Sequence, residues 1–269
     1  MDIAGKRILL TGATGGLGRA LAVRLADRDV ELVLVGRKRA ALDEQLGALP
    51  AGNHQSVLAD IASVDGRRAV VDAVGGSLDG LINCAGVNTF GLFADQCADD
   101  LERLLRVNVI AAVELIRDLL PVLGQRKSLV VNVGSTFGTI GYPGYTAYCA
   151  SKFALRGFTE ALARELADSS VRVCYFAPRA IRTPMNDANI EAMNAELGNT
   201  MDTPERVADS LVKFLEQGRA RRHVGWPERL FVTLNALLPG IVDGALAKNL
   251  PVIQRHCRGD GASSLSPPG

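Results

Sequence analysis

Tyr148 and Lys152 lie four residues apart in the stretch Tyr148-Cys149-Ala150-Ser151-Lys152, and Ser135 lies thirteen residues upstream of the tyrosine. On a helix, residues at that spacing project from one face, about one turn apart. A phenol beside an ammonium is a specific chemical device. Free tyrosine has a pKa of roughly 10 and is a poor base at neutral pH. A neighbouring positive charge favours phenolate and lowers that value, and a proton-transfer group works best with its pKa near the working pH. The pair therefore reads as a tuned general acid/base. Tyr and Lys at this spacing are also common on solvated helix faces, so the reading needs a second signal.

That signal lies near the other end of the chain. Ile8-Leu9-Leu10 is a short apolar run, followed by Thr11-Gly12-Ala13-Thr14-Gly15-Gly16-Leu17-Gly18 and a helical pattern from Ala20 to Ala26. Strand, glycine turn and helix form the context of a dinucleotide fingerprint. The glycines allow a tight turn and close approach of backbone to pyrophosphate, and the helix start offers free N–H groups and a positive dipole end.

Thr11-Gly-x-x-x-Gly16-x-Gly18, Asn83-Cys84-Ala85-Gly86, Asn108, Ser135 and Tyr148-x-x-x-Lys152 occur in the order and spacing of the short-chain dehydrogenase/reductase family, which residues 5 to 225 resemble. The resemblance implies an oxidoreductase that interconverts a carbonyl and an alcohol by hydride transfer. It implies that Ser135 polarises the oxygen, Tyr148 moves the proton, Lys152 also holds the nicotinamide ribose, and Asn108 anchors a water on the proton path. It implies a cofactor site bordered by Thr11, Gly12, Thr14, Gly15, Gly16, Leu17 and Gly18, by Asn83, Ala85 and Gly86, and by Pro178, Ile181 and Thr183. Asp60 would face the adenine amino group with Ile61 against the ring, and Thr183 the nicotinamide carboxamide. Asp60 also reads as a plain turn or cap residue.

These residues need a scaffold. Strand runs are legible at 7–10, 31–35, 56–59, 80–82, 129–133, 171–176 and near 223–224, with helical patterns at 40–46, 65–74, 99–120 and 145–167 between them. Repeated βα units imply a Rossmann-like, doubly wound parallel sheet of about seven strands, with helices on both faces and a single α/β domain. Asn108 falls inside the 99–120 pattern, where asparagine is a poor interior residue.

Gly36-Arg37 ends the second strand. An acid near this place holds a ribose 2′-hydroxyl, whereas an arginine accommodates a 2′-phosphate. Arg37 and Lys38 therefore favour NADP(H), with NAD(H) as the alternative. Gly15 stands where some NADP-binding relatives carry a basic residue. Phe137, Ile140 and Tyr142 could line an apolar pocket. Arg179 replaces the glycine that usually follows this proline in the family, and could reach a substrate or solvent. Residues 184–200 read as a substrate lid within 179–202, in which Met185, Met193 and, just beyond, Met201 could meet an apolar substrate.

Beyond Trp226 the resemblance ends. Residues 227–257 form an apolar helical extension that either lies in a membrane interface or covers the domain or a subunit contact. Residues 258–269 are rich in Gly, Ser and Pro, the composition of a disordered tail.

The net charge of +1 suggests no nucleic-acid partner. The five cysteines, odd in number and without Cys-x-x-Cys spacing, suggest reduced thiols in the cytoplasm. No histidine has metal-ligand spacing, and no apolar run spans a bilayer. The expected partners are an apolar small molecule and further copies of the chain, as a homodimer or homotetramer. A cofactor-binding regulator, or a sugar-nucleotide epimerase or dehydratase, would use the same scaffold.

Overall fold

Each of the seven expected strand segments becomes a strand of one parallel sheet in the computed structural model, which describes residues 2–226 and 228–258, the seventh being the charged Arg221–His223. The strands are β1 (Arg7–Thr11), β2 (Glu31–Gly36), β3 (Gln55–Leu58), β4 (Gly80–Asn83), β5 (Ser128–Val133), β6 (Val171–Ala177) and β7 (Arg221–His223). The helices are α1 (Gly16–Ala26), α2 (Arg39–Gly47), α3 (Val64–Val74), α4 (Ala98–Leu105), α5 (Ala111–Leu123), α6 (Thr146–Glu165), α7 (Ala188–Glu196), α8 (Pro204–Glu216), α9 (Glu228–Leu237) and α10 (Pro239–Arg258).

The strand order is β3-β2-β1-β4-β5-β6-β7, so the winding reverses between β1 and β4, where Thr11 pairs with Asn83. A ligand crevice opens at the carboxyl ends of the strands at such a switch point. Strand residues alternate between two cores. Ile8, Leu10, Leu32 and Leu34 pack with α1 and α8, while Leu9, Val33 and Val35 pack with α3, α5 and α6. Burial on both faces is why these strands read as continuous apolar runs rather than as alternating ones.

The helix expected over 99–120 is broken. A π turn over Arg106–Ile110 separates α4 from α5, and the Ala111 N–H reaches back to the Arg106 carbonyl. Asn108 sits at its centre. Pro239-Gly240 does not merely interrupt an apolar helix but starts α10. The inner side of α10 covers the domain: Ile253 is 0% exposed, packed with Tyr145, Cys149, Ile190 and Met193. Residues 259–269, most of the expected tail, lie outside the described residues. All five cysteines are free, and Cys97 is exposed.

Candidate active site

Thr11 shapes the glycine turn from below. It is fully buried, and its Oγ1 accepts hydrogen bonds from the Cys84 and Ala85 N–H groups at 3.1 and 3.2 Å. This locks the β1 turn to the β4 turn. Gly12 is required there for two reasons. Its φ is +67°, and a Cβ would stand 2.7 Å from the Ala85 Cα. A Cβ on Gly16 would lie 2.7 Å from Thr183 Cγ2, and one on Gly18 would strike the Gly12 carbonyl. The glycines thus bring three segments, around Thr11, Ala85 and Thr183, to one place.

α1 begins there with its N-terminal charge uncompensated. Its N-cap, Gly15, supplies no side-chain acceptor, and the first turn holds no acid. By contrast α3, α7 and α8 are capped by Ser63, Asp187 and Thr203. An uncapped helix start at the switch point, in a cradle kept free of side chains, fits the pyrophosphate of a dinucleotide. Thr14 is partly buried and Leu17 buried beside it.

At the end of β2, Arg37, Lys38 and Arg39 are exposed in succession. Asp60 is exposed, with one carboxylate oxygen accepting from the Ala62 N–H at 3.0 Å. Ile61 is buried in the core with Val57 and Ala59. Pro178 is buried, and its carbonyl accepts from the Thr136 N–H at 3.0 Å. Ile181 bridges to Asp202.

Asn83 and Asn108 anchor the turn between the cradle and Lys152. Asn83 Nδ2 donates to Asn132 Oδ1 at 2.9 Å, and Asn132 Nδ2 donates to Thr159 Oγ1 at 2.9 Å, tying β4 through β5 to α6. Asn108 Oδ1 accepts from the Val87 N–H at 2.8 Å, while Nδ2 donates to the Val87 carbonyl at 2.9 Å and to Ser151 Oγ at 3.1 Å. Both amide donors are therefore used in clamping the loop. A water held at this residue would have to use its main-chain carbonyl. A Cβ on Gly86 would lie 3.3 Å from Asn108 Oδ1 and 3.8 Å from Lys152 Nζ.

Ser135, Tyr148 and Lys152 converge next to this turn. Ser135 N-caps the short 3-10 turn Thr136–Gly138, its Oγ accepting from the Phe137 N–H at 3.1 Å. The Ser135 side chain lies close enough to the Tyr148 hydroxyl to favour its ionised form. Lys152 is buried, donates to the Val133 carbonyl at 3.2 Å and lies 5.6 Å from the Tyr148 ring centre. Burial lowers its ammonium to about 8, with Cys84 opposing the shift.

The expectation that Lys152 makes the phenol acidic is not met. Burial dominates and pushes Tyr148 well above the ordinary tyrosine value, with the Ser135 side chain only partly offsetting it. Desolvation thus favours the protonated phenol.

Aromatic residues pack beside Tyr148. Phe137 stacks on Tyr142 at 4.8 Å, meets Tyr145 at 5.0 Å and stands edge-on to Tyr148 at 6.4 Å. Met193 and Ile253 close the cluster from α7 and from α10. Met185 is exposed instead. Ile253, Phe90 and Tyr145 escaped the sequence reading because they flank the motifs rather than belong to them. Asn235, also missed, donates to the Thr139 carbonyl at 3.0 Å and holds α9 to the loop after Ser135.

Arg179 does not hang in solvent but is held by two carboxylates. It forms a two-pronged pair with Asp202, both contacts 2.8 Å, and a second pair with Glu228 at 3.3 Å. Asp202 is only 2% exposed in this pair. Arg179 holds its carboxyl below the ordinary aspartate value.

Comparison with known proteins agrees with this geometry. Residues 6–194 match the family model described as short chain dehydrogenase. The chain is 34% identical over 230 residues to "Nodulation protein G" of Rhizobium sp. (strain N33), covering 81% of this chain and 92% of that protein. It is 31% identical over 221 residues to "3-oxoacyl-[acyl-carrier-protein] reductase FabG" of Vibrio harveyi, covering 79% and 90%. The solved 3-ketoacyl-(acyl-carrier-protein) reductase from Brucella melitensis, complexed with NADH, superposes with a TM-score of 0.71 at 27% identity, covering 78% of this chain and 90% of that one. With the matched model spanning residues 6–194 and the Ser135–Tyr148–Lys152 cluster set against a dinucleotide cradle, the chain belongs to the short-chain dehydrogenase family of NAD(P)-dependent oxidoreductases, acting on CH–OH and C=O groups.

Proposed function

We propose that this enzyme is an NADP(H)-dependent reductase of a hydrophobic ketone or aldehyde. The observation that carries the reading is the Tyr148 hydroxyl, set beside the Ser135 side chain and against an aromatic cluster, where desolvation favours the protonated phenol. The glycine turn, the start of α1, Thr183 and Lys152 would hold the dinucleotide. When bound, the cofactor supplies the hydride.

The chain's own residues do the rest. Ser135 and Tyr148 both present hydroxyls to a carbonyl oxygen and hydrogen-bond the negative charge that develops there. Tyr148 then transfers its proton to that oxygen. Lys152, mostly charged at neutral pH with a value near 8, opposes the charge left on the phenolate. The Asn108 clamp keeps the Gly86 turn against Lys152.

Two further features support the finer assignment. Arg37, Lys38 and Arg39 carry no ion pair among the described residues, and guanidinium suits a 2′-phosphate. The cluster of Phe137, Tyr142, Tyr145, Met193 and Ile253 beside Tyr148 is predominantly apolar, which supports a hydrophobic substrate. Leu105, Ile110 and Phe153, exposed on α4, the π turn and α6, support assembly of copies into a homodimer or homotetramer. The test is NADPH consumption against 3-oxoacyl thioesters, long-chain ketones, steroids and aldehydes. Turnover with apolar members and none with small polar ketones is expected; the reverse order would remove the hydrophobic assignment.

A further inference from the structure

The outer side of α9 and the start of α10 carry an apolar face that nothing covers among the described residues. Leu230, Phe231, Leu237, Leu238 and Ile241 are exposed, Leu237 at 72% and Ile241 at 55%. The Leu238 N–H donates to the Leu234 carbonyl, which carries the helical turn past the end of α9. At helical spacing residues 230, 231, 234, 237 and 238 fall within roughly 120° of one another. Asn235 and Glu228 point the other way, to Thr139 and Arg179.

Unpaired cations flank this face. Lys213, Arg219, Arg222 and Arg229 border a cleft of about 800 Å³ between α8, β7 and α9, and their side chains have no hydrogen bond or ion pair among the described residues. Arg222 lies close enough to Arg219 and Arg229 to feel both as like charges. The acids of the cleft are engaged, Asp209 by Arg24 and Glu160 by Arg156 and Arg221. Ser210 Oγ and His223 Nδ1, also in the cleft, are buried without a hydrogen-bond partner. Trp226 stands at the lip, 73% exposed.

We propose that this corner docks on the surface of an anionic phospholipid bilayer. The apolar face of α9 enters the boundary between headgroups and acyl chains, and Arg219, Arg222 and Arg229 take headgroup phosphates. An amphipathic helix with arginines along its flank lies in this plane, and an exposed tryptophan prefers the same depth. No helix among the described residues is long and apolar enough to cross the membrane, so the contact is peripheral. A second copy fits the face less well. A two-fold contact would set this arginine cluster against itself, and the acids of the cleft are already engaged.

The placement bears on the reaction. α9 is tied through Asn235 to the loop after Ser135, and α10 delivers Ile253 to the cluster that holds Tyr148. An apolar substrate, if the reading above holds, would arrive from the bilayer at the elements that close its site.

The test is co-sedimentation of the full chain with sucrose-loaded vesicles of phosphatidylcholine alone and of phosphatidylcholine with phosphatidylserine. The chain has one tryptophan, so Trp226 emission reports the same event. Preferential, salt-sensitive binding to the anionic vesicles with a blue shift is expected. Arg219→Gln/Arg222→Gln/Arg229→Gln should lose about a hundredfold in partition, from roughly fivefold per arginine. Leu237→Glu/Ile241→Glu should lose the blue shift. Equal binding to neutral vesicles, or an unshifted Trp226, overturns the proposal. So does a concentration-dependent dimer that is abolished by Leu237→Glu/Ile241→Glu while vesicles bind nothing. Dinucleotide binding by both variants checks the fold. None of these readouts needs turnover, so failure of the reductase assignment would leave them standing.

Discussion

The Lys152 ammonium lies 5.6 Å from the Tyr148 ring centre, yet its hydrogen bond goes to the Val133 carbonyl 3.2 Å away. The amine is therefore spent on the main chain, from a buried position that weakens its own charge. In this arrangement Tyr148 keeps its proton, which suits reduction of a carbonyl. Tyr148→Phe should lower kcat by roughly 10²- to 10⁴-fold while NADPH affinity, read by fluorescence titration, is unchanged. Retained turnover would remove Tyr148 from the chemistry.

The buried lysine also sets a pH dependence of stability. Its folded value of about 8 lies below the ordinary 10.5, so at low pH the fold bears the cost of a buried charge. Above pH 8 the folded chain releases the proton while the unfolded chain retains it. The unfolded state then binds more protons, and this contribution to stability rises from about pH 8 towards 10.5. The full difference is worth about 3 kcal/mol. Urea denaturation between about pH 7.5 and 9.5, below tyrosine ionisation, should show a shallower rise for Lys152→Met than for the parent chain. Parallel curves would mean that another group titrates.

Arg37→Ala should weaken NADPH by roughly 10- to 100-fold, the loss of one charged hydrogen bond, and leave NADH nearly unaffected. The two dissociation constants settle it: an equal fall for both would make Arg37 irrelevant to the choice between cofactors.

Arg179→Met would leave the Asp202 carboxylate buried without its two-pronged partner. Breaking a buried pair in this way costs about 3–5 kcal/mol. Adding Asp202→Asn should recover part of that loss. If the two changes add independently in a double-mutant cycle, the pair contributes nothing to the fold.

Asn108→Ala removes the partner of the half-buried Val87 N–H and should cost about 1 kcal/mol or somewhat more. Asn108→Asp keeps an acceptor for that N–H but loses both donors, to Val87 and to Ser151. Thermal unfolding should rank the parent above Asp and Asp above Ala; an Ala variant as stable as the parent would show that the clamp is dispensable.

The sheet was legible because strands buried on both faces must be apolar throughout, as in Glu31–Gly36 and Ser128–Val133. Ser135, Tyr148 and Lys152 were legible because their spacing is local or fixed by one βα unit. Three features were hidden, each for a physical reason. The break at Arg106–Ile110 depends on Asn108 bonding to Val87, which a helical periodicity does not record. The partners of Arg179 are 23 and 49 residues away in sequence, at Asp202 and Glu228. The burial of Ile253 depends on a helix that lies beyond the family resemblance and returns across the domain. The sign of the Tyr148 shift was missed because burial is a property of the fold and outweighs a charge that sequence alone can suggest.

The two-pronged contact of Arg179 with Asp202 is reinforced by main-chain bonds from Arg182 to Asp202 and from Asp202 to Ala180. Both ends of residues 179–202 are thus tied to the same spot beyond β6, and between them α7 leans on α10. If residues 184–200 serve as the expected lid, the end left to open is the one against α10, so that segment and the helix that carries Ile253 would move together.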